Sequence, residues 1–511
     1  MVLKQQKKLA EALKRVHTIA PSHIVQARQL SRSERAILKQ HGFLTLIVRG
    51  WYAVTTPQAE PGDTTFWHLH FWAFVAAYLG FRHGERYVLS PEQSLDLWTE
   101  NTQTPKQLIV LTEQGGVFTL NLLNDSSLLL YPSKKKLPVV REVKQGVQVM
   151  PLALALIKVS PSYFIRSSTN AELALRMVRG EDLTRALLSN NANFSEAGRM
   201  IGGLRHLGLE EIAQRIESDL KAAGFNLKST NPFEEPAQLP CGVMLQSPYS
   251  GRIEAMWAKM REKVLAFFPS PPSPLLKTKD ILKRVHEIYT SDAYHSLSIE
   301  GYQVTPDLIQ RVADGLWSPE NNLVDQAEVN AMAAKGYHEA FKQVLFSVES
   351  ILKGNSPGDV VEHHLQDWYR ALFSPSVQAN ILPATALAGY RDRRVFIKGS
   401  SHVPAAVHAV SPLMESLFSM LRHEPSAAVR AILGHFIFVF IHPYSDGNGR
   451  IGRLLMNAML ISGGYNWTII RLEQRKKYMK ALELAAVEGE ITSFVQIILE
   501  AMQISADLVS K

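Results

Sequence analysis

The sequence predicts a multidomain protein: a winged helix-turn-helix over residues 1–60, an α/β domain over 61–225, a linker with one helix over 226–274, and an all-α domain over 275–511 carrying a β-hairpin. Three observations predict this. The first 55 residues read helix, helix, basic helix, β-hairpin; a strand-like run, Gln107-Leu108-Ile109-Val110-Leu111, lies among helical patterns; and helical periodicity dominates beyond residue 275 with no internal repeat.

Residues 4–20 put Leu9, Leu13 and Val16 on one face of an amphipathic helix that Pro21 ends. Ser22 is expected to cap a second short helix running through Leu30. Ser31 and Glu34 have capping-box spacing for a third, Arg32 to Gln40, which Gly42 terminates. Phe43 to Val54 alternates and favours β-structure, with Gly50 as its turn. In such an order the basic third helix enters a groove of duplex DNA and the hairpin bearing Arg49 is the wing.

Phe66 to Leu79 reads as a helix whose stripe Phe66, Trp67, Phe71, Trp72 and Phe74 belongs in a core. Leu183 to Leu188 and Glu196 to Gly208 read as later helices, and Lys134-Lys135-Lys136, set between Pro132 and Pro138, as an exposed loop. From Phe225 to Val243 the polar, Pro-containing sequence reads as an interdomain linker. A helix, Arg252 to Ala266, and a stiff spacer, Pro269 to Pro274, lead into a helix spanning Thr278 to Ile299.

Composition, at 46% hydrophobic and 20% charged, is that of a soluble globular protein. Cys241 is the single cysteine, which excludes an internal disulfide and a Cys/His zinc cluster and points to a reducing, cytoplasmic setting. The basic start, Met1 to Val16, lacks the apolar core of a signal peptide. The apolar runs around Phe71 to Phe81 and Phe436 to Ile441 fall short of the roughly 18 residues a membrane span needs, so no membrane partner is expected. The net charge is +8, and the first 50 residues alone hold ten basic against two acidic side chains. That excess is what contact with duplex DNA through residues 1–55 would use. Oligomeric state stays open, a homo-oligomer included.

The densest chemistry lies in His442-Pro443-Tyr444-Ser445-Asp446-Gly447-Asn448-Gly449-Arg450-Ile451-Gly452-Arg453, entered from the apolar run Ile432 to Ile441 and left through the helix-like Leu454 to Leu460. Gly447, Asn448 and Gly449 tolerate positive φ, so their N–H groups can form an anion-binding concavity facing the N-terminus of the following helix. Arg450 and Arg453 add guanidinium forks suited to phosphate. Asp446 offers a carboxylate of the kind a phosphate-bound Mg²⁺ takes, and His442 can accept a proton near neutral pH.

This stretch resembles the Fic family signature, with Tyr444 where the family has Phe; a buried hydroxyl there needs a partner. The resemblance spans about residues 275–500 and implies transfer of AMP from ATP to a hydroxyl of a target protein. It assigns His442 as the base, Asp446 as the Mg²⁺ ligand, Gly447 to Arg453 (including Ile451 and Gly452) as the ATP phosphate site, and Tyr478 as an aromatic residue near the adenine. Ser296, Glu300 and Gly301 match the family's inhibitory motif, which implies that Glu300 pairs with Arg453 and holds ATP in an unreactive pose. Val395, Phe396, Ile397, Lys398, Gly399, Ser400, Ser401, His402 and Val403 resemble the hairpin flap that aligns a target segment by strand addition. Transfer of UMP or GMP, or removal of AMP, stays open. Gly42-Phe43-Leu44 with Arg49 to Val54 resembles the start of AbiEi-type antitoxins and related transcriptional regulators over about the first 225 residues. The competing reading is therefore a DNA-binding regulator with the C-terminal half as sensor.

Overall fold

A computed structural model describes residues 2–55, 57, 65–101, 103–134, 136–190, 192–271, 277–316 and 329–509. The chain divides into two compact units, residues 1–252 with 396–403, and residues 253–395 with 404–511. The boundary falls inside the helix Pro248–Phe267, upstream of the expected domain start at 275.

In the first unit, helix Val2–Ile19 buries Ala12 and Val16 against Leu38 and Val54. Strands Ile24–Gln26, Trp51–Val54 and Leu44–Val48 form an antiparallel sheet in that spatial order. The expected second helix is thus replaced by a strand followed by a single 3-10 turn, Ala27–Gln29. His23 turns the chain at φ 60°, and Ile24-Val25 then finds backbone partners in Ala53 and Tyr52. The β-branched pair gains more from that ladder than from helix. Helix Arg32–Gln40 carries both halves of its capping box, and Gly42 and Gly50 take the left-handed conformations their turns require.

A four-stranded sheet follows, ordered Tyr87–Leu89, Gln107–Thr112, Ser127–Pro132, Phe118–Asn121, with the central pair parallel. Helix Thr65–His83 buries Trp67, Phe71 and Phe74 among these strands, and the Trp67 indole donates to Ser126 Oγ at 2.8 Å. Lys134 and Lys136 are exposed, while Lys135 lies outside the described residues.

The stretch expected as a linker is instead a packed strap. Arg176, fully buried, donates to the carbonyls of Leu239, Pro240 and Val243 at 2.7–3.0 Å. Phe233 joins the helical core. On helix Phe194–His206, a Cβ at Gly198 or Gly202 would fall 2.1 or 2.0 Å from the carbonyls of Lys228 and Thr230, so only glycine lets the strap lie this close. Of the expected spacer, residues 272–274 lie outside the described residues.

The second unit is helical, and no strand occurs among its described residues. The expected helix Thr278 to Ile299 is two, Thr278–Glu287 and Tyr289–Ile299. Helices Val329–Leu352 and Pro357–Gln378 pack together, with Trp368 donating to Ser347 Oγ at 3.0 Å in their core. Against them lies the almost wholly buried Asn448–Ser462, and the equally buried Ala427–Ile441 packs on that helix in turn. The expected hairpin at 395–403 has no ladder of its own. Ser400 N–H closes a turn on Ile397 O at 3.1 Å, with Gly399 at φ 75°, and His402 bridges to Gln103 within the first unit. At His402 that bridge stands where pairing across a hairpin was expected. No helix among the described residues is long and apolar enough to cross a membrane.

Candidate functional site

The site begins where helix Ala427–Ile441 stops. His442 caps it in the left-handed conformation, φ 54°, with its N–H on Phe438 O at 3.0 Å. Nδ1 lies 3.2 Å from Val439 O, and a carbonyl can only accept, so Nδ1 carries the proton and Nε2 keeps its lone pair. Burial, and then the nearby Arg391 cation, lowers the imidazole pKa from its ordinary value and keeps it neutral.

Tyr444 is fully buried, stacked on Tyr369 at 3.8 Å, and its hydroxyl donates to Gln366 Oε1 at 2.9 Å. The hydroxyl added by Tyr thus has its partner. Asn448 clamps the loop, accepting from Tyr444 N–H at 3.0 Å and donating to Tyr444 O at 2.8 Å. This alters the expected cradle: Gly447 alone of the three residues is left-handed, φ 81°, while Asn448 and Gly449 already belong to helix Asn448–Ser462. The N–H groups at this turn are those of a helix N-terminus. Asp446, its side chain 64% exposed, accepts from Gly447 N–H at 2.6 Å and from Arg450 Nη2 at 3.1 Å.

Arg450 is 1% exposed, its guanidinium 5.0 Å from the Tyr302 ring centroid and 5.1 Å from that of Phe373. Neither aromatic stands out in the sequence; the position of Tyr302 just after Gly301 was the available signal. Ile451 is buried, and Gly452 permits close helix packing, since a Cβ there would fall 2.8 Å from His435 Nδ1.

Arg453 joins the two matched motifs. Nε donates to Ser296 Oγ at 3.0 Å, and Nη2 to Ser296 O at 2.9 Å and Glu300 Oε1 at 2.8 Å. Its Nη1 is buried without a hydrogen-bond partner among the described residues. Glu300 stands at the C-terminus of helix Tyr289–Ile299, where Gly301 (φ 93°) and the Tyr302 N–H, on Leu297 O at 3.2 Å, close a Schellman turn. A carboxylate is unfavourable at that end of a helix dipole; burial raises its pKa, but Arg453 and Arg450 outweigh this and leave it lowered. A Cβ at Gly449 would lie 2.2 Å from Glu300 Oε1, so the carboxylate rests on the first turn of the helix that follows the loop.

Tyr478 is buried, its hydroxyl 2.8 Å from His435 Nε2, so it stands in the helical core. The residues of 396–403 group with the first unit, while Val395 belongs to the second. Arg391, which lies in the stretch leading into the expected flap but has no role assigned from the sequence, donates its side chain to His442 O at 2.9 Å.

Residues 359–460 match the Fic/DOC family. The protein adenylyltransferase Fic of Nematostella vectensis is 28% identical over 259 residues, covering 50% of this chain and 55% of that protein. That of Drosophila virilis is 32% identical over 229 residues, 43% of each. The chain spans about half the length of the curated relatives it matches. Among solved structures, residues 134–508 of Fic-1 from C. elegans align at 16% identity and a TM-score of 0.37, covering 67% of this chain and 92% of that one. The chain therefore carries a Fic domain, with its family match over residues 359–460.

Proposed function

We propose that this protein transfers AMP from ATP to a side-chain hydroxyl of a target protein, and that Glu300 holds it inactive. The observation that carries this reading is the anion site at the head of helix Asn448–Ser462, where the Glu300 carboxylate lies on Gly449 and takes up Arg453. A carboxylate held by a guanidinium at a helix N-terminus occupies the ground a terminal phosphate needs.

With that ground cleared, His442 Nε2 would take the proton of the target hydroxyl. The hydroxyl oxygen bonds to the α-phosphorus of ATP as the bond to the pyrophosphate oxygen breaks. The helix N-terminus, Arg450 and Arg453 neutralise the phosphates, so positioning and charge compensation supply most of the barrier reduction. The exposed Asp446 carboxylate suits Mg²⁺ held largely by substrate phosphates, an ion that takes one or two carboxylates from a protein. When bound, the ion would offset phosphate charge. Residues 395–403 are proposed to receive the target segment. Labelling with ATP carrying its tracer on the α- or the γ-phosphorus tests the reaction: retention of the α-label alone supports AMP transfer, and retention of the γ-label refutes it.

A second reading concerns residues 1–55, proposed as a winged helix that binds duplex DNA. It is favoured by the strand order around helix Arg32–Gln40 and the basic excess of the first 50 residues. Some of that charge has internal uses: Arg35 donates to the carbonyls of Ala27 and Leu30, and Arg28 lies over Phe81. The reading predicts binding of the whole chain to a short duplex that weakens steeply with salt, and a shallower slope for Arg32→Gln with Arg49→Gln. Absent or salt-independent binding refutes it.

A further inference from the structure

Helix Ala427–Ile441 ends at a residue whose own carbonyl has no intrahelical partner, because the left-handed His442 turns it out of the helix. Arg391 meets it. Nε donates to His442 O at 2.9 Å, and the backbone N–H of Arg391 donates to Pro443 O, also at 2.9 Å. The other two guanidinium nitrogens reach the two sides of an inserted segment: Nη1 donates to Arg393 O at 3.2 Å and Nη2 to Ala405 O at 2.5 Å. Those carbonyls flank residues 395–403, proposed above to receive the target segment. Arg391 is 4% exposed, and its hydrogen-bond partners among the described residues are backbone carbonyls.

A buried guanidinium is costly unless its donors are used, and here the fork is used in three directions at once. A lysine could supply the charge but not the geometry, since one ammonium cannot reach carbonyls on three separate strands of chain. Left-handed backbone at a residue other than glycine also persists only where its surroundings hold it. His442 has such a hold on both sides, from Phe438 and Val439 within its helix and from Arg391 outside it.

We infer that Arg391 is a positioning residue for transfer: its guanidinium fixes the carbonyl of the base His442 and both stems of the 396–403 segment in one frame. This rests on the AMP-transfer reading for its activity readout. It has a second consequence. The charged groups facing His442 are Arg391, Glu300 and Asp446, and of these Arg391 opposes protonation of the ring while the two carboxylates favour it. Loss of the Arg391 charge therefore moves the pH at which His442 becomes neutral upward.

The test compares Arg391→Gln and Arg391→Lys, each in the Glu300→Gly background, by three measurements. Transfer rate against pH is expected to fall about 10- to 100-fold in the Gln variant with KM for ATP little changed, because a displaced base costs rate rather than nucleotide affinity. Its acid limb should move to higher pH. The Lys variant should keep the limb of the parent but not regain its rate. Carbethoxylation of His442 by diethyl pyrocarbonate, followed by peptide mass spectrometry across pH, reads the ring without any turnover, and its midpoint should rise in the Gln variant. Thermal melting reports whether each variant is folded. A folded Gln variant with unchanged rate and midpoint overturns the inference, and full rescue by Lys overturns its geometric part. If the Glu300→Gly parent transfers nothing, the AMP-transfer reading fails, and an unmoved carbethoxylation midpoint is then what sinks this one.

Discussion

Arg453 Nη2 and Glu300 Oε1 stand 2.8 Å apart, joining a helix N-terminal region to the C-terminus of a helix more than 150 residues earlier in the chain. Both groups pay for their burial through this contact: the pairing lowers the pKa of Glu300 and raises that of Arg453, against the effect of burial on each. The contact is therefore between ionised groups at neutral pH. Glu300 has a folded pKa below its ordinary 4.5, so the stability it lends the latch is present above that value and lost as pH falls through the folded one. Wild-type activity should accordingly show no rise attributable to Glu300 between about pH 6 and 8. A steady-state profile on the wild type checks this, and a rise there absent from Glu300→Gly would contradict it.

Gly449→Ala should weaken nucleotide binding at least about tenfold even when Glu300 is already Gly, because the new methyl enters the space now held by Glu300 Oε1, 2.2 Å away. Calorimetric titration with ATP in both backgrounds measures it. Equal affinities would mean that the phosphates do not use the ground of the carboxylate.

Tyr444→Phe should fold and retain transfer within a few-fold of its parent. It removes one hydrogen bond, to Gln366, and leaves the ring stacked on Tyr369, which implies a loss of about 1–2 kcal/mol in chemical denaturation. A loss of activity without a loss of stability would assign the hydroxyl a role beyond packing.

Asp292 lies buried beneath the latch with Tyr337 O–H donating to it at 2.7 Å, and burial pushes its pKa up to about 6. A carboxyl raised in the folded state stabilises when protonated and costs stability as pH rises through about 6. Asp292→Asn keeps an acceptor for Tyr337 and removes that cost. It should melt higher than wild type at pH 8, by an amount worth up to about 3 kcal/mol, and alike at low pH. Parallel melting curves at both pH values would contradict the assignment.

The pattern of what the sequence revealed follows the range of the forces involved. The capping box of Ser31 and Glu34, the turn at Gly50 and the buried stripe of Trp67, Phe71 and Phe74 are local chemistry, legible in a few residues. Ile24-Val25 was read as helix because its partners lie nearly thirty residues on. The strap from Phe225 to Val243 reads as a linker because proline and polar residues dominate it, while Phe233, Leu239 and the glycines of the helix beneath carry its docking. At the site, His442, Asp446 and the two arginines stood out by type and spacing. The pairing of Arg453 with Glu300 came from resemblance, and the hold of Arg391 on His442 links residues 51 apart with no spacing rule to announce it.

Intact mass of the purified protein after incubation with ATP and Mg²⁺ is the most direct measurement of the central claim, made on wild type, Glu300→Gly, and Glu300→Gly with His442→Ala. A gain of one AMP is expected in Glu300→Gly, little or none in wild type, and none once His442 is lost. Equal labelling of wild type and Glu300→Gly would contradict restraint by Glu300, and labelling that survives His442→Ala would contradict the assigned base.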